Sequence, residues 1–180
     1  MAHKAIRAIG IDPGSRVTGI GVVETQGQTL KHIHSESVRL GSGPLATRLV
    51  AIYERIQEIV QVHKPQVGAI EKVFLASNPQ SALVLGQARG SALLALAQKD
   101  LETSEYSALE IKRAVTGTGR ASKEQVQHMV RVLLGLTRRP PQDAADALAC
   151  AICHLHVSQG QREGLPLASV KSRPRSRARR

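Results

Sequence analysis

The sequence predicts an α/β fold: a five-stranded mixed sheet flanked by helices. Three observations predict it. The chain opens with three short apolar or alternating segments joined by tight turns. From residue 44 onward, short apolar runs alternate with stretches of helical period. A length of 180 residues with 42% hydrophobic content fits one domain with a real core.

The elements follow in order. Residues 5–11, AIRAIGI, read as a strand ending at Asp12, and PGSR supplies a turn. VTGIGVVE is a second strand, and residues 30–40 are a third, giving an antiparallel meander. Leu45, Leu49, Ile52, Ile56, Ile59 and Val60 then recur at helical spacing, which predicts an amphipathic helix over 44–63 that Pro65 helps to end. VGAI, residues 67–70, is a buried strand ending at Glu71. An Ala/Leu-rich helix is expected over 79–98 and a fifth strand over 101–106. SALEIKRAV is a helical segment. SKEQVQHMVRVLLG is another, opened by a capping box of Ser122 with Gln125. The last helix starts at Pro140-Pro141, where proline suits a first turn, and runs through DAADALACAICHLH. The folded domain is expected to cover 1–158. Residues 159–180 read as a basic, flexible arm, being polar, Gly/Pro-containing and then Arg/Ser-rich.

Net charge is +11. Six of these charges lie at Lys171, Arg173, Arg175, Arg177, Arg179 and Arg180, which leaves +5 on the rest of the chain. A basic body with a basic tail points to a polyanionic partner, and nucleic acid is the commonest soluble one. The start of the chain does not read as a signal peptide, and no stretch is long and apolar enough to span a bilayer, so no membrane association and a cytoplasmic location are expected.

Against this background only 14 residues are acidic. Asp12 and Glu71 each end a predicted strand, where α/β sheets usually bind ligands. Asp143 and Asp146 are three apart at a helix start and share a face. Singly, Asp143 is an ordinary first-turn residue and Asp12 an ordinary turn former. A charge beside a buried strand at Glu71 is costly unless partnered. As a set, the four carboxylates predict a site for Mg²⁺, or Mn²⁺, since both are oxygen-seeking. Two ions about 3.5–4 Å apart would activate water and steady the scissile phosphate. Asp12 would bridge them, Glu71 and Asp143 would hold one side each or orient the water, and Asp146 would complete the second side. Lys112, Arg113, Arg120 and Lys123 flank the GTG turn and are candidates to hold phosphates, as is Arg16 beside Asp12. Phe74, the single phenylalanine, is a candidate to stack on unpaired bases.

These motifs carry a resemblance. GIDPGSRVTGIG (10–21) resembles the first hairpin of the RuvC Holliday-junction resolvases. The likeness continues through AIEKVF (69–74), LGQARG (85–90), SKEQVQHMVRVLL (122–134) and PQDAADALA (141–149), and covers about residues 5–158. It implies an RNase H-like fold and a homodimer that nicks two opposed strands of like polarity in a four-way DNA junction. Dependence on Mg²⁺ or Mn²⁺, preference for T-containing sites, and work beside the branch-migration motor in recombination and repair are also implied. By resemblance the four catalytic acids are Asp12, Glu71, Asp143 and Asp146. The basic residues near the scissile strand are Lys112 and Lys123, and the stacking aromatic is Phe74. Segment 82–97, with Gly86 and Gly90, is expected at or near the dimer interface, with core packing as the alternative.

Other readings are weaker. CAICH (150–154) matches a haem-attachment pattern, and Cys150, Cys153, His154 and His156 could be read as a zinc set. Buried small cysteines and a surface histidine explain them better. No P-loop pattern occurs. An actin-like ATPase or kinase lobe would account for the first hairpin but not for the late acidic pair. A non-catalytic junction-binding protein would account for charge and Phe74 but not for four carboxylates. An RNase H-like nuclease acting on RNA or on other branched DNA is the alternative nearest in chemistry.

Overall fold

The computed structural model describes residues 5–72 and 78–162. Its strands are β1 (Arg7–Asp12), β2 (Val17–Gln26), β3 (Thr29–Arg39), β4 (Val67–Glu71) and β5 (Glu102–Tyr106). Its helices are α1 (Leu45–His63), α2 (Pro79–Ala97), α3 (Ala108–Thr116), α4 (Lys123–Leu133) and α5 (Gln142–Arg162). The sheet order is β3-β2-β1-β4-β5. The first three strands are antiparallel, while β4 and β5 run parallel to β1. This is an RNase H-like α/β fold.

Alternation along the strands sorts side chains to two faces. Ile9, Ile11, Ile20, Val22 and Ile70 face α1 and α2 in one core cluster. Ala8, Val23 and Ala69 face α3, α4 and α5 in another. Asp12 and Glu71 share the parity of Ala8 and Ala69, so both point toward the α5 layer.

Local signals set the helix ends. Asn78 caps α2, accepting from the Gln80 and Ser81 amides at 2.9 and 3.5 Å, and Pro79 follows it. Ser122 and Gln125 form the expected capping box on α4. A second box, Ser107 with Glu110, opens α3, so Ser107 stands before that helix and not in it. Gly117, in the left-handed region at φ 78°, ends α3. Helix α5 continues four residues past Ser158, into the stretch assigned from sequence to the arm.

Candidate active site

The β1·β4 ladder ends with Ile11 opposite Ile70. The next residues, Asp12 and Glu71, therefore leave the two central strands side by side at their C-terminal ends. The start of α5 lies over them. It can do so because the strands beneath carry glycines. A Cβ on Gly19 would overlap the Asp143 main-chain oxygen, and one on Gly10 would overlap that of Ala147. At Gly21 the Leu148 amide nitrogen would stand 2.8 Å from an added Cβ. The backbone of α5 thus rests almost directly on β1 and β2, which brings Asp143 and Asp146 over the strand ends. The Gln142 amide donates to both carboxylate oxygens of Asp146 at 3.2 Å and orients it.

The four carboxylates share one electrostatic neighbourhood. Burial, then the charges of Glu71, Asp146 and Asp143, push the Asp12 carboxyl up to about 7, against the pull of Lys123. Burial and then Asp146 raise Glu71, while Lys123 and Lys112 draw it down. Burial also raises Asp146, opposed by the Gln142 hydrogen bond and by Lys123, with Asp143 adding to the rise and Lys112 opposing it.

Among the described residues no three His, Cys, Asp or Glu side chains stand close enough to hold one ion. In this conformation the carboxylates are neighbours without forming a closed ligand cage. Their chemistry still fits a hard divalent cation. All four are oxygen donors, and a bound cation would offset both the burial and the carboxylate repulsion that raise Asp12.

The other predicted site residues separate into two groups. Lys112 on α3 and Lys123 at the start of α4 reach the field of the carboxylates, and Lys123 acts on three of them. Arg113 and Arg120 are exposed near the GTG turn, and neither figures among the charges acting on the carboxylates. Arg16 is exposed too, in a turn that other groups hold: its carbonyl accepts from the Leu40 amide at 2.9 Å. Phe74 and residues 171–180 lie outside the described residues.

Sequence reasoning missed Arg48 on α1, which donates to the Ser15 carbonyl at 2.6 Å and so braces the turn after Asp12. It also missed the role of the strand glycines. Their alternate spacing in GIDPGSRVTGIG was the available signal. Cys150 and Cys153 are buried, as expected, and burial pushes their thiols up, that of Cys153 to about 12. His154 is buried between Tyr106 and Ser158, with the Tyr106 hydroxyl 2.9 Å from Nδ1. No helix among the described residues is long and apolar enough to cross a membrane.

An RNase H-like sheet with carboxylates gathered at its central strand ends, flanked by lysines, has the layout of a metal-dependent nuclease. The family model described as "Crossover junction endodeoxyribonuclease RuvC" matches residues 8–154. The chain is 50% identical over 151 residues to a crossover junction endodeoxyribonuclease RuvC of Marinobacter nauticus, covering 84% of this chain and 86% of that one. It is 48% identical over 171 residues to that of Acinetobacter baylyi, covering 95% and 94%. Among solved structures it is similar to Thermus thermophilus RuvC in complex with a Holliday junction substrate, with TM-score 0.82, 33% identity, and 89% and 97% coverage. The chain belongs to the RuvC family of junction-resolving endodeoxyribonucleases.

Proposed function

We propose that the chain resolves Holliday junctions as a homodimer, nicking two opposed strands of like polarity at symmetric positions. The observation that carries this reading is the placement of Asp12, Glu71, Asp143 and Asp146 together on the α5 face of the sheet, in the field of Lys112 and Lys123. These four carboxylates would hold Mg²⁺ or Mn²⁺, two ions per site. The bound cations would supply Lewis acidity, activate a water and offset charge at the scissile phosphate. Lys112 and Lys123 meet the phosphates that approach the carboxylates, and Arg113, Arg120 and Arg16 hold the DNA backbone farther out. Phe74 stacks on bases near the junction centre. Residues 1–158 make the nuclease domain and 159–180 a basic arm. The protein works in the cytoplasm beside the branch-migration motor, in recombination and repair.

Two-fold symmetry matches two equivalent sites to two equivalent strands. Helix α2 supports a dimer. Leu83, Gly86, Gly90 and Leu94 fall at spacings of three and four along one exposed stripe, and both leucines are more than half exposed. A Cβ at Gly86 or Gly90 would meet nothing within 4 Å, so these glycines leave room for something outside the chain.

The test is strand-by-strand mapping of products from a synthetic four-way junction and from a linear duplex, with Mg²⁺, with Mn²⁺ or with chelator. Paired, metal-dependent nicks at symmetric positions of the junction alone are expected. Tight binding without nicks under either metal would favour a binding protein, and equal cutting of the duplex a less selective nuclease.

A further inference from the structure

Glu71 is anchored from the side of the sheet opposite its carboxylate. The β1·β4 ladder stops at Ile11–Ile70, one residue short of it, and Pro13, which follows Asp12, has no N–H to offer. On the β5 side the Lys72 amide still bonds to the Tyr106 carbonyl at 2.7 Å. Toward α2, Arg89 Nε donates to the Glu71 carbonyl at 3.3 Å. The same guanidinium pairs through a terminal nitrogen with Glu105 of β5 at 2.7 Å. Arg89 is only 20% exposed, so α2 holds this fork against the sheet.

We infer that Arg89 is a positioning residue for the reaction: it fixes the backbone of Glu71, and through it the Glu71 carboxylate, with Glu105 holding the guanidinium in register. This rests on the reading of Glu71 as a metal-binding carboxylate. Arg89 sits on the α1–α2 face, whereas the carboxylates face α5, and its bonds go to the Glu71 carbonyl and to Glu105, not to the oxygens of the acidic cluster. Its planar fork suits the task, because one group must serve a carbonyl and a carboxylate at once. A lysine has one nitrogen for two acceptors. Arg89 also adjoins Gly90 of the exposed stripe, so the polar link from α2 to the Glu71 backbone starts beside that stripe.

The test compares the full-length wild-type chain with Arg89→Met, Arg89→Lys and Glu105→Gln. Three quantities are read: Mn²⁺ affinity by titration calorimetry without DNA, the single-turnover cutting rate on a four-way junction, and melting temperature. Arg89→Met should weaken Mn²⁺ binding and slow cutting by about tenfold or more, the effect of losing a group that orients a ligand, with junction affinity unchanged. Arg89→Lys and Glu105→Gln should fall between it and wild type. The inference is overturned if Mn²⁺ affinity matches wild type in all three variants, whether or not melting falls. If Arg89→Met does not fold, the other two variants decide by the same criterion. A wild-type chain that binds Mn²⁺ but leaves junctions uncut would refute the nuclease reading, while the Mn²⁺ series would still judge Arg89.

Discussion

The Asp143 main-chain oxygen occupies the space that a Cβ on Gly19 would fill, closer than side-chain carbons approach other atoms. This contact ties the β2 glycine to the placement of one member of the acidic cluster. Gly19→Ala must push the start of α5 off the sheet. A displacement near 1 Å at a reacting centre costs roughly 100-fold. Cutting should fall by about that factor in Gly19→Ala. As a control, Gly160→Ala on α5 meets open space and should stabilise the helix by up to about 1 kcal/mol. Rate measurements beside thermal melts check both.

The raised carboxyl of Asp12 has a consequence for stability. Its folded value is about 7, against 3.8 for the free group. A raised value means that the stability contribution is fully present below 3.8 and is lost as pH rises through 7. In chelator, wild type should therefore lose stability relative to Asp12→Asn between pH 4 and 8. The loss is at most on the order of 4 kcal/mol. Melting temperatures across that range, measured for both proteins, should diverge toward high pH. Added Mg²⁺ should close the gap by favouring the charged wild-type site.

Lys123 plays two parts with opposite signs. It draws down the pKa of Asp12, Glu71 and Asp146, and under the proposed function it meets phosphate. Lys123→Met should therefore tighten Mn²⁺ binding in calorimetry while slowing cutting. It should also reduce the slope of junction affinity against log salt by roughly one phosphate's share, about 0.9.

Leu94 is 56% exposed on the α2 stripe. If that stripe is the dimer face, Leu94→Arg should give monomers in analytical ultracentrifugation with melting temperature little changed. Persistence of dimers would place the interface elsewhere.

Much of the fold was legible because periodicity marks each element. The strands alternate, α1 carries a clean apolar stripe, and Ser122 with Gln125 announces α4. Strand order was less so. Nothing local says that β4 inserts beside β1, although that pairing is what sets Asp12 next to Glu71. The acidic residues could be picked out because carboxylates are scarce in a basic chain. The groups that place them could not. Arg48 and Arg89 look like ordinary helix cations until the fold lays them against the carbonyls of Ser15 and Glu71. The burial of His154 is hidden for a similar reason: its partner Tyr106 is 48 residues away.

If Asp12, Glu71, Asp143 and Asp146 act as one metal-binding catalytic set, Asp146→Asn exposes it most directly. The substitution keeps shape and removes one charge. The intact protein and the variant should be compared on a synthetic four-way junction with Mg²⁺, measuring binding and mapped nicks in parallel. The variant should bind the junction as the intact protein does, with its paired nicks abolished. Nicking by the variant at the wild-type rate would contradict this reading.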